Sequence, residues 1–134
     1  AMVAGVLAIL SMGILTWKGA VATEALGTEN LLHVPAWAQK EGFAKDKQAV
    51  AGAKLFAVVG CLNCHTYLGI GNSNLGAPDL SAEGAKRKGV AFQIAHLKCP
   101  ACVTKGSPMP AFANEGTKNL NDLATFLEAS KGPK

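Results

Sequence analysis

The chain has 134 residues, room for one small domain with attachments, and it carries 13 Lys and Arg against 9 Asp and Glu, a formal net charge of +4. Only 6% of residues are aromatic, and the cations are dispersed apart from Lys86-Arg87-Lys88, which argues against a nucleic-acid binder. That triplet reads as a solvated loop, and the modest positive field suits acidic protein partners instead.

Hydrophobic residues make up 49% of the chain, and the excess sits at the N-terminus. Residues 1 to 17 carry no charge, and the first cation is Lys18. As a helix that run covers roughly 25 Å, the short end of a membrane span. Trp17 stands where an interfacial aromatic would. Residues 1–20 are therefore expected to form an uncleaved transmembrane anchor. A signal peptide is the rival, because Ala20-Val21-Ala22 resembles a cleavage site; against it, no basic region precedes the apolar stretch. Residues 21–45 show no sustained period and contain Gly27, Pro35 and Gly42. They read as a linker or strap, made adhesive by Leu31, Leu32, Val34 and Trp37, with His33 as a surface residue.

From Asp46 to Val59 the apolar positions Val50, Ala53, Phe56 and Ala57 recur at helical spacing, with Asp46 as the cap. Gly52 inside this helix costs about 1 kcal/mol against Ala, which a close helix crossing would explain. Gly60 ends the helix. Thr66 to Leu80 is broken by Gly69, Gly71, Gly76 and Pro78 and reads as a loop. Gly89 to Lys98 is a short helix with Phe92, Ala95 and His96 in line. Thr104 to Phe112 is another loop, and Thr117 to Ser130 is the last helix, with Leu120, Leu123, Phe126 and Leu127 as its apolar stripe. Long loops of this kind suggest a function or a large cofactor filling the core.

The chemistry concentrates at Cys61-Leu62-Asn63-Cys64-His65, the C-x-x-C-H signature of covalent haem attachment. Two thiols three positions apart on a helical turn can reach the two vinyl groups of one haem, and the adjacent histidine can then ligate the iron. The rival is zinc, held by this pair together with Cys99 and Cys102. The gap between the pairs is long for a zinc ribbon, and His65 would be idle. For the sixth iron ligand the candidates are Met109, His96 and His33. Met109 lies between Pro108 and Pro110, which stiffen its loop, so a thioether is presented with little loss of entropy. His96 reads as a helix-face residue. Cys99 and Cys102 are no second haem site, since Val103 follows where a histidine is needed; they read as a local disulfide, with free thiols or a redox-active pair as the minority reading.

Over about residues 46 to 131 the chain resembles the class I c-type cytochromes. The opening helix with Gly52 and Phe56, the C-x-x-C-H motif, Gly76-Ala77-Pro78-Asp79-Leu80, the Gly106 to Phe112 loop and the closing Leu120 to Leu127 helix carry the resemblance. It implies an all-α fold over residues 46–134 wrapped around one covalent haem c, behind the N-terminal transmembrane helix. It implies that the Pro78 carbonyl accepts a hydrogen bond from His65. The function it implies is single-electron transfer, not catalysis. With anchor and strap, the chain looks like a cytochrome c subunit of a respiratory or photosynthetic complex, quinol-oxidising or haem–copper, with other membrane subunits, lipid and redox proteins as partners. Its place would be the bacterial cytoplasmic membrane, single-pass, with the haem domain on the periplasmic side. The alternatives are a tethered shuttle between complexes and an open-site haem enzyme or sensor.

Overall fold

The structure, a computed structural model, describes residues 2–133, and of residues 2, 4 and 19–27 the backbone alone. The side chains of Ala20-Val21-Ala22 thus lie outside the described residues. Six α-helices are described: α1 (Met2–Leu31), α2 (Val34–Glu41), α3 (Lys47–Val58), α4 (Val90–Lys98), α5 (Pro100–Val103) and α6 (Gly116–Ala129). The expected all-α architecture is modified by a small antiparallel hairpin of β1 (Thr66–Tyr67) and β2 (Ile70–Gly71), with Tyr67 opposite Ile70. Its two-residue turn, Leu68 and Gly69, has positive φ at both positions, the twist that a tight hairpin requires.

The core lies where α3 crosses α6. Asp46 caps α3 by accepting the amides of Gln48 and Ala49 at 3.0 Å each. Ala49, Gly52, Ala53, Phe56 and Ala57 face inward, against Leu120, Leu123, Phe126 and Leu127 of α6. A side chain at Gly52 would overlap the Asp122 carbonyl and stand 2.7 Å from Phe126 Cβ, so the helices approach backbone to backbone. Phe56, Tyr67 and Phe126 pack with ring centroids 5.0–5.7 Å apart, and Trp37 sits 4.9 Å from Tyr67. Tyr67 is fully buried, and its hydroxyl is paired with Ser130 Oγ at 2.7 Å. Burial pushes that phenol above its ordinary range.

Two expectations are corrected. Among the described residues no helix is long and apolar enough to cross a membrane. The transmembrane anchor over residues 1–20 is not borne out, and neither is the single-pass placement on a bacterial cytoplasmic membrane with the haem domain on its periplasmic side. The uncharged run of residues 1–17 ends at Lys18 and as a helix covers only about 25 Å, against a hydrocarbon core of roughly 30 Å. Ser11 and Thr16 interrupt it, their hydroxyls turned back onto the carbonyls of Ala8 and Met12.

The second correction concerns the strap. Residues 21–45 are helical to Leu31 and again over Val34–Glu41. Pro35 stands in the first turn of α2, where no amide donor is needed, and Gly42 closes it with φ 80°. Residues that look like breakers are helix punctuation here. Val34, Trp37, Ala38 and Phe43 are buried in the same core as α3 and α6.

Candidate functional site

The cysteine motif begins where α3 stops. Gly60 turns the chain with φ 91°, and Cys61 to Asn63 form one tight 3-10 turn. The amides of Cys64 and His65 both donate to the Cys61 carbonyl, at 3.2 and 2.9 Å. This winding puts both thiols and the imidazole on one cavity wall. The hairpin then tucks beneath the motif. Asn72 N donates to Leu62 O at 2.9 Å, and Gly71, with φ 95°, lies so close that a side chain would meet the His65 carbonyl.

The returning chain orients the histidine. Leu80 N donates to Thr66 O at 2.9 Å, and Thr66 Oγ1 donates to Asp79 Oδ2 at 2.6 Å. Partial burial raises the Asp79 carboxyl, but the bonds from Thr66 and Ser81 outweigh it and hold the group below its ordinary value. So fixed, Pro78 O accepts from His65 Nδ1–H at 2.8 Å. With Nδ1 protonated by this bond, Nε2 is the ring atom with a free lone pair.

The far wall is the loop after α5. Phe112 N donates to Leu97 O at 2.8 Å and closes the loop's base, and Met109 N donates to Ser107 Oγ at 3.3 Å. Met109 and its two prolines line the same cavity as Cys61, Cys64, His65 and Pro78. Its volume is about 460 Å³, within the ordinary range for a bound organic ligand. Phe56, Leu80, Phe92, Leu97, Leu123 and Leu127 supply apolar surface. Burial pushes the Cys61 thiol up to about 12, so it stands as a neutral group.

Cys99 and Cys102 are joined as a disulfide, with their Cα atoms 5.3 Å apart, while Cys61 and Cys64 are free thiols. The four-thiolate zinc reading therefore lacks half its ligands. His96 also lines the cavity; it stacks on Phe92 at 6.1 Å, and its Nδ1 is buried with no partner among the described residues. Burial pulls its pKa down. The stripe expected on α4 is displaced, for its buried residues are Gln93 and Leu97 rather than Phe92 and Ala95. His33 does not line the cavity and stacks on Trp37 at 6.2 Å.

Sequence reasoning missed the cavity's polar rim. Buried Glu83 is paired with Lys86 and Lys88, and it accepts from Gln93 at 3.4 Å. Burial raises this carboxyl, but the lysines and Gln93 prevail and hold it below its ordinary value. Nothing in the spacing of Glu83 and Gln93 announces their contact. Lys105 joins the rim from the methionine loop.

A neutral imidazole nitrogen, a thioether, two adjacent thiols and apolar walls make a donor set that fits a covalently attached haem. No protein-family model, curated protein or solved structure matches this chain.

Proposed function

We propose that this chain is a single-electron carrier of the class I cytochrome c type. One observation carries the reading: C-x-x-C-H and Met109, far apart in sequence, face one apolar cavity, with His65 Nδ1 bound to Pro78 O. Cys61 and Cys64 would hold the haem through thioether bonds, and His65 and Met109 would bind its iron. When bound, the haem supplies reversible exchange between ferric and ferrous iron.

The chain's own residues do the rest. The Pro78 carbonyl fixes the imidazole's tautomer and raises its basicity. Met109, braced by Pro108 and Pro110, would bind the iron and leave no open site for a substrate. Thioether ligation by Met109 and the apolar walls would favour the less charged ferrous state and raise the potential. Lys86, Lys88 and Lys105 at the rim suit brief docking of acidic redox proteins as donor and acceptor. The natural setting for such a carrier is a respiratory or photosynthetic electron-transport chain.

The test is expression in a host that attaches haem covalently. A haem stain that survives denaturing electrophoresis and a methionine–iron charge-transfer band in the ferric spectrum are expected. Met109→Ala should abolish the band, admit carbon monoxide to ferrous iron and lower the potential. A colourless protein would overturn the reading. An unchanged band in Met109→Ala would remove Met109 as ligand and favour an open-site haem enzyme or sensor.

A further inference from the structure

The loop from Cys99 to Pro110 carries a covalent cross-link into the cavity wall. Residues 101 to 106 are all exposed, so burial does little to fix them. Their internal bonds are short-range turns: Cys102 N to Cys99 O at 3.0 Å, Thr104 N to Pro100 O at 2.7 Å and Ser107 N to Thr104 O at 3.0 Å. The strongest restraint between Leu97 and Met109 is the Cys99–Cys102 disulfide.

That disulfide is poorly placed to act as a staple for the whole fold. Its sequence separation is 3, the closure of a very small loop, and the constraint on the unfolded chain grows with loop length. It is well placed for exchange. Cys102 is exposed and Cys99 half-buried. Lys98 and Lys105 flank the pair, and no acidic residue occurs from Ile94 to Asn114. Nearby cations favour a thiolate over a thiol, and exposed disulfides are the labile ones.

We propose that Cys99–Cys102 is a thiol–disulfide exchange site for a dithiol reductant, and that its state sets how firmly Met109 is held. A thiolate of the reductant attacks Cys102 Sγ, and the S–S bond breaks. Cys99 leaves as a thiolate and takes a proton. The reductant's second thiol then attacks its own sulfur in the mixed disulfide and releases Cys102. Two electrons and two protons pass to the pair, and the reductant ends as a disulfide. Freed of the clamp, the loop keeps its turns, its prolines, the Met109–Ser107 and Phe112–Leu97 bonds and the half-buried packing of Met109 and Phe112, but loses its one covalent cross-link. The consequence for Met109 rests on the haem reading above; the exchange chemistry does not.

The experiment uses the full chain with haem attached. It is incubated with dithiothreitol without oxygen, trapped with iodoacetamide, re-oxidised with ferricyanide and weighed. Addition of one alkyl group each to Cys99 and Cys102 is expected, at dithiol levels that reduce an exposed reference disulfide. In the trapped protein, and in Cys99→Ser/Cys102→Ser, the ferric methionine–iron band should weaken. Affinity for added imidazole should rise roughly tenfold, as the fraction of molecules with an accessible iron grows. No alkylation where the reference is fully reduced overturns the exchange site. Alkylation with band and imidazole affinity unchanged in both proteins overturns the coupling to Met109. Absence of covalent haem would instead overturn the proposed function, while the alkylation result would still decide the exchange site.

Discussion

The two walls of the cavity are built on opposite principles. The wall at Cys61 and His65 grows out of the α3–α6 crossing, where buried rings and a glycine contact lock the two helices together. The wall at Met109 is an exposed loop held by turns, two prolines and a disulfide. Burial makes one side rigid because displacing it opens a cavity in a close-packed core. On the other side Met109 and Phe112 rest half-buried against that core while residues 101 to 106 stand exposed, so covalent and conformational restraints carry more of its geometry. A haem protein built this way would keep its histidine under most perturbations and lose its methionine first.

Substitutions that separate the two walls test the comparison. The largest effect is expected at the crossing. Phe126→Ala, which removes a fully buried ring shared by Phe43, Phe56 and Tyr67, should cost about 3–5 kcal/mol in denaturant unfolding. Gly52→Ala should follow with about 1–3 kcal/mol, because the methyl group must push α3 off the Asp122 carbonyl. Pro108→Ala, in the loop, should cost under about 1 kcal/mol, chiefly by loosening the unfolded chain. Yet Pro108→Ala should disturb the ferric methionine–iron band more than Gly52→Ala does in its remaining folded fraction. Equal stability losses at Gly52 and Pro108 would show that the loop shares the core's packing and would break the contrast.

Much of the crossing was legible in the sequence. Asp46 as cap, Gly60 as stop and the stripe Leu120, Leu123, Phe126 and Leu127 on α6 stand as their spacing implies, and Gly52 sits at a close crossing. Helices α1 and α2 were harder to read between residues 21 and 45. Pro35 and Gly42 are ambiguous letters: the same residues break a helix or punctuate one, and only the docking of Val34 and Trp37 against the core decides which. The hairpin was invisible because Leu68-Gly69 is not a usual signal for its turn; Leu68 accepts φ 47° while its amide is held by Ser81 Oγ at 2.7 Å. On α4, packing beside Glu83 and Glu128 buries a glutamine, Gln93, which hydropathy places outside. The apolar N-terminus misled because a run at the short end of a membrane span does not make the helix that carries it long and apolar enough to cross one.

By itself the sequence determined the local chemistry: which thiols stand three apart, which histidine follows them, and which methionine lies between prolines. Those are relations between neighbours, and a covalent chain states them directly. Only the tertiary structure decided that Pro78 reaches His65, that Glu83 gathers Lys86, Lys88 and Gln93, and that Met109 faces the cysteine motif across one cavity. These contacts join residues from separate elements, and their geometry is set by how closely α3 and α6 can pack, a property of the whole core rather than of any segment.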